Sequence, residues 1–150
     1  MRFEHFIHPL PKSGERVQTI AAAFPSALQY VPALEALVHS LARALSFDER
    51  GANEIAAAAV EGAMNALQHG NQKDISKNIF LAAIVEPNRL TIKIKDEGAG
   101  FDVEKVEDPR EGDRIWKDSG RGILIMRYYM DSVSYDPSGV ELTLVKKRPR

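Results

Sequence analysis

The chain has 150 residues, with 20 Lys and Arg against 21 Asp and Glu and a formal net charge of -1. That length is near the size of a single domain and can bury a core without staples. The absence of cysteine excludes disulfides and thiolate zinc sites and fits a reducing compartment, while the near-neutral balance argues against a general nucleic-acid coat.

Residues 1–15 carry Pro9, Pro11 and Gly14 with no sustained period, and are expected to form an N-terminal arm. Met1 to Pro9 is too broken by polar residues to be a signal h-region. No apolar run anywhere approaches the ~20 residues that span a bilayer. A soluble, cytoplasmic domain is therefore expected.

Arg16 to Phe24 predicts a strand. After Pro25-Ser26, the residues Leu34, Leu37, Val38, Leu41 and Leu45 recur at helical spacing. Ser26 and Gln29 offer a capping box, which would enclose Pro32 and leaves the helix start several residues wide. Ser46 and Glu49 predict a second capping box, opening an Ala-rich helix to Gln68 with Gly70 as a left-handed stop.

Ile79 to Glu86 and Leu90 to Lys95 read as a hairpin turning at Pro87-Asn88-Arg89. Val103 to Ser119 is polar and reads as a long loop, a length usual for lids and binding segments. Gly122 to Asp131 predicts a short helix. A last hairpin pairs Ser132 to Tyr135 with Val140 to Lys146. Grouped helices and hairpin-joined strands predict an α+β fold, a two-layer α/β sandwich with a mostly antiparallel sheet. One domain over residues 16–147 and a basic tail over residues 148–150 follow from this division.

Three segments carry candidate chemistry. Glu61, Asn65 and His69 recur every four residues and so stack on one helical face, beside the small Ala58 and Gly62 that would admit a bulky ligand. A carboxylate can act as a general base, and an amide oxygen can ligate Mg²⁺. Taken by itself, the simpler reading is a solvated polar face opposite Ile55, Ala59 and Leu67. The second segment, Asp96-Glu97-Gly98-Ala99-Gly100, follows a strand. Its carboxylate can accept from a base amino group, and its glycines permit close backbone approach, although a plain turn reads as well. The third, Ser119-Gly120-Arg121-Gly122, reads as a glycine-rich turn opening a helix, either a phosphate site or a loop hinge.

In this order, the E-x-x-x-N helix, the D-x-G-x-G turn and the G-x-G turn resemble the N box and glycine boxes of the Bergerat-fold (histidine-kinase-like) ATPases. Gly120 to Val133, Glu61 to Asn71 and the Pro25-Ser26 opening resemble, more narrowly, the bacterial anti-sigma-factor serine/threonine kinases. The resemblance covers about Arg16 to Lys147.

The resemblance implies ATP and Mg²⁺ as cofactors. It makes Glu61 the general base, Asn65 the Mg²⁺ ligand and Asp96 the acceptor of the adenine amino group. His69, Gly98 and Gly100 would line the nucleotide, and Gly120, Arg121 and Gly122 the phosphates. It implies as partners a sigma factor, which is sequestered, and an anti-sigma-factor antagonist, which is phosphorylated, commonly by a homodimer without direct nucleic-acid or membrane contact.

Two positions depart from the family pattern. Val140 follows Gly139 where a threonine that helps read adenine is common, and Thr143 lies two residues beyond Glu141, which would keep the face and change the depth. Asn71 stands where an aromatic is common. A nucleotide-sensing module without kinase activity remains an alternative, as does a detached histidine-kinase catalytic domain. No helical segment carrying a phosphoacceptor histidine precedes the boxes, and His5 and His8 sit in the Pro-broken arm. The four histidines have no metal-ligand spacing, with His39 reading as a helix-surface residue. Trp116 falls in the lid, and Lys146, Lys147, Arg148 and Arg150 read as a solvated basic cluster.

Overall fold

A computed structural model describes residues 17–100 and 118–150. The expected arm, with His5 and His8, the strand start at Arg16, and the expected lid up to residue 117, with Trp116, lie outside the described residues. Strands β1 (Gln18–Pro25), β2 (Asn78–Val85), β3 (Arg89–Lys95), β4 (Ser132–Tyr135) and β5 (Glu141–Lys147) form one sheet in the order β1-β2-β3-β5-β4. Every neighbouring pair is antiparallel. Helices α1 (Val31–Ala44), α2 (Glu49–Asn65) and α3 (Asp118–Tyr129) supply the second layer, giving the α+β sandwich that the element order predicts.

Alternation decides which strand residues meet the helices. Ile79, Leu81, Leu90, Ile92, Ile94, Leu142 and Leu144 point inward and join Leu34, Val38, Ile55 and the alanines of α2 in one buried cluster. Each large aliphatic buried this way contributes on the order of 1.5–3 kcal/mol. Alanines on α2 keep the helix close to the sheet. Gly62 carries this furthest: a Cβ there would lie 2.5 Å from Leu142 Cδ2 and 3.0 Å from Ile94 Cδ1. Its smallness therefore serves helix-to-sheet packing rather than the approach of a ligand, correcting the sequence reading of Ala58 and Gly62, both of which are buried.

Several boundaries differ from expectation for local reasons. Ser26 caps nothing: the chain makes a short 3-10 turn over Leu28–Tyr30, and α1 starts at Val31, so Pro32 falls in the first turn where its missing N–H costs no bond. Asp48, not Ser46, is the N-cap of α2, its Oδ1 accepting from Gly51 N at 2.7 Å, whereas Ser46 takes the left-handed conformation (φ 69°) that ends the preceding helix. Asp48→Ala should lower stability by about 1 kcal/mol, read as a shift in chemical-denaturation midpoint at unchanged slope.

Gly70 is not a left-handed stop. The helix widens to a π turn over Ala66–Gly70, and Gln72 and Lys73 adopt positive φ instead. α3 begins at Asp118, four residues before Gly122, so Gly120 and Gly122 lie inside the helix rather than in a turn before it. Packing explains this against glycine's poor helix propensity, because Gly122 and Met126 are buried where α3 lies on α2.

Two basic residues read as solvated are tied down. Lys146 Nζ donates to Tyr129 O at 2.5 Å, near the C-terminus of α3, and Arg148 donates through its backbone to Asn88 O and through Nη1 to Glu86 O. His39 lies on α1 and meets Glu49 Oε1 at 3.0 Å. Among the described residues no helix is long and apolar enough to cross a membrane.

Candidate functional site

The polar end of the sandwich is built where α2, α3 and the ends of β3 and β4 meet. Glu61 and Asn65 lie one turn apart on α2 and are both half-buried. Across from them, a Cβ built on Gly122 of α3 would stand 2.8 Å from Glu61 Oε2, 3.7 Å from Asn65 Nδ2 and 3.8 Å from Asn65 Oδ1. The fold thus brings the first and third sequence segments together: a side chain at position 122 would press on the flexible end of Glu61 and meet the Asn65 amide at ordinary contact distance. Arg121, next in line, is exposed. His69 parts from the half-buried Glu61 and Asn65: it lies in the π turn and is exposed.

The second segment forms a separate corner. Asp96 is 6% exposed and follows the last residue of β3, its Oδ1 accepting from Gly98 N at 2.8 Å. A Cβ on Gly70 would fall 2.2 Å from Asp96 Oδ2, and one on Gly98 would fall 2.1 Å from the Gly70 carbonyl oxygen. Gly70 and Gly98 are therefore glycines because the end of α2 and the turn after β3 touch backbone to backbone beside the carboxylate. Gly100 takes φ 77° and packs against Ser138 O in the β4–β5 turn. Gly120 sits in the first turn of α3.

Burial pushes the Asp96 carboxyl above the ordinary carboxylate range, while donation from Gly98 and the charge of Lys77 partly oppose it. A raised folded value means that the contribution to stability is fully present below the unfolded value of about 4 and is lost as pH rises through the folded one. Ionised Asp96 is thus a cost at neutral pH. Asp96→Asn should raise the melting temperature at pH 7, with the gap to the parent closing as pH falls toward about 4. A gap of constant size across that range would contradict the assignment.

Three residues outside the expected set organise this corner. Asn71 is 0% exposed, donating through Nδ2 to Asn78 O at 2.9 Å and accepting at Oδ1 from Glu97 N at 2.8 Å. Glu97 Oε2 in turn accepts from Asn78 N at 2.7 Å. The three close a ring that ties the end of α2 to the start of β2 and the turn after β3, which accounts for an asparagine where an aromatic was expected. Tyr135, paired with Leu142 and so on the helix side of the sheet, is hydrogen-bonded to the Asn65 side chain. Burial raises its phenol, the Asn65 bond lowers it, and the Asp96 charge raises it again.

Thr143 does not substitute for a threonine at position 140. It alternates with the inward Leu142 and Leu144 and pairs with Lys93, so it lies on the sheet face away from the helices. Asp96 is in phase with inward Ile94, and its backbone N meets Val140 O at 3.3 Å. Val140 therefore holds the place beside Asp96 where a hydroxyl was expected.

A carboxylate, an amide and a neighbouring helix crossing at glycine offer oxygen donors to a hard cation. Among the described residues no three His, Cys, Asp or Glu side chains gather as a metal cage. That donor set suits a Mg²⁺ that takes most of its shell from phosphate and water.

Residues 24–146 match the histidine kinase-like ATPase domain family. Over 98 residues the chain is 31% identical to the anti-sigma F factor of Bacillus subtilis (strain 168), covering 62% of this chain and 67% of that one. Over 101 residues it is 31% identical to the anti-sigma F factor of Clostridium perfringens (strain 13 / Type A), covering 63% and 71%. The anti-sigma F factor of Thermoanaerobacter sp. (strain X514) is 30% identical over 95 residues, covering 62% of this chain and 66% of its own length, just under two thirds.

Proposed function

The chain belongs to the histidine kinase-like ATPase domain family, in its anti-sigma-factor branch, and from that premise we propose that it is an ATP-dependent serine/threonine protein kinase and anti-sigma regulator. In this reading it phosphorylates an anti-sigma-factor antagonist in the cytoplasm and, as a homodimer, sequesters a sigma factor. The observation that carries it is the convergence of Glu61 and Asn65 on Gly122, with the buried Asp96 set in its own glycine corner.

Each residue then has one task. Asp96 accepts the adenine amino group, a charge-assisted bond that its burial strengthens. Gly98 and Gly100 let the chain pass the nucleotide, with His69 at the rim. Gly120, Gly122 and Arg121 line the phosphates, and Asn65 offers its amide oxygen to Mg²⁺. The cation, when bound, neutralises developing charge on the phosphates. Glu61 takes the proton of an incoming serine or threonine hydroxyl as its oxygen bonds to the γ-phosphorus and the bond to the β–γ bridging oxygen breaks, releasing ADP. Phosphoryl transfer needs positioning and charge neutralisation more than covalent chemistry, and two side chains on one rigid helix supply that.

The test is a pull-down with the full chain in the presence and absence of Mg-ATP, followed by mapping of phosphorylated residues on the captured proteins. Capture of a sigma factor, together with serine or threonine phosphorylation of a second partner, supports the reading. ATP-dependent capture without any transfer points instead to a nucleotide-sensing module.

A further inference from the structure

We propose that Asn71 is a positioning residue that fixes how the Asp96 carboxylate meets a base, and so sets the preference for a 6-amino over a 6-oxo purine. The inference rests on the ATP reading above and deepens it, since Asp96 is the adenine acceptor there.

Asp96 is held from three sides. The peptide before it is tied by donation from Asp96 N to Val140 O at 3.3 Å. The peptide after it is tied by donation from Glu97 N to Asn71 Oδ1 at 2.8 Å. These bonds fix the backbone on either side of Cα, and Gly98 N, donating to Oδ1 at 2.8 Å, fixes the side chain. Among the described residues nothing donates to Oδ2, which keeps its capacity for an amino group. A 6-oxo purine would instead set a carbonyl oxygen against the carboxylate, acceptor facing acceptor.

Of these ties only Asn71 comes from the end of the helical layer. It reaches the turn because α2 runs out in a π turn, closed by Asn71 N donating to Ala66 O at 2.7 Å. That closure sets Gly70 against Asp96, where a Cβ would be 2.2 Å from Oδ2, and puts the Asn71 side chain between Asn78 and Glu97. Its amide has one possible orientation, because Nδ2 meets a backbone carbonyl and Oδ1 a backbone N–H. The side chain is fully buried, so water cannot take over either bond while it is in place.

Calorimetric titration of ATP and of inosine triphosphate, each with Mg²⁺, into the parent chain, Asn71→Leu and Asn71→Asp tests the inference. The parent should prefer ATP by about tenfold or more. Asn71→Leu keeps the shape and removes both hydrogen bonds, so the two nucleotides should bind within about threefold of each other. Asn71→Asp keeps an oxygen for Glu97 N and should hold the parent's preference. A merely structural tie would lower both affinities alike. An unchanged preference in Asn71→Leu therefore overturns the inference, as does an equal loss of preference in Asn71→Asp. Hydrogen exchange on the parent gives a check that needs no variant to fold: the Glu97 amide should be protected like the amides of β3, and rapid exchange there overturns the inference. A parent that binds both nucleotides alike overturns the inference and leaves nucleotide binding standing; a parent that binds neither overturns both.

Discussion

Glu61→Ala should reduce phosphoryl transfer to serine or threonine by about 10²–10⁴-fold, the range of a lost general base, while ATP affinity changes little. The separation of the two effects follows from the layout. Glu61 and Asn65 share one turn of α2 against Gly122, whereas Asp96 sits in a different corner held by Gly70 and Gly98. Removing the carboxylate leaves the Asp96 corner intact, and it deletes a half-buried charge, so the fold should survive. Glu61→Gln sharpens the test, since it keeps shape and hydrogen bonding but cannot accept the proton. Radiolabel transfer measured beside a binding isotherm reads both quantities, and transfer undiminished in either variant would remove Glu61 from the role.

Asn71→Ala should be the most damaging substitution outside the site of Glu61, Asn65 and Gly122. The side chain is fully buried, and its loss leaves Asn78 O and Glu97 N without their partners. Unpaired buried groups cost about 1–3 kcal/mol each, so a loss near 3 kcal/mol is expected, roughly 6–12 °C in melting temperature for a chain of this size. Glu97 directly follows Asp96, so ATP affinity should fall with stability. Asn71→Ala melting within a degree or two of the parent would show that the ring of Asn71, Asn78 and Glu97 is not a structural tie.

Patterns within a few residues of one another were legible in the sequence. The β-rich runs and the turn residues between them marked the β2–β3 and β4–β5 hairpins, and the alanine-rich run marked α2. The Asp-x-Gly-x-Gly turn and the E-x-x-x-N spacing likewise put Asp96 at a strand end and Glu61 and Asn65 one turn apart on a helix, where the fold has them. What depends on packing between distant elements was not legible. Gly120 and Gly122 read as a turn, yet the contact of α3 with α2 keeps both in a helix. Gly62 read as room for a ligand and is room for Leu142. Asn71 could not be explained locally because its partners lie 7 and 26 residues away. Tyr135 was visible as the end of a strand, but its alternation with Val133 only says that it faces inward; Asn65 as its partner comes from the fold. The face of Thr143 was misjudged for a related reason, since only the register with Lys93 shows which side of β5 meets the helices.

The central claim is that Asp96, beside Gly70 and Gly98, forms the adenine end of a nucleotide site. The most direct measurement is a calorimetric Mg-ATP isotherm for the parent chain and for Asp96→Asn at pH 7. The account predicts saturable binding of one ATP per chain and at least a tenfold loss of affinity, about 1.4 kcal/mol, in a variant that melts no lower than the parent. Absence of saturable binding to the parent, or equal affinity in the two proteins, would contradict it.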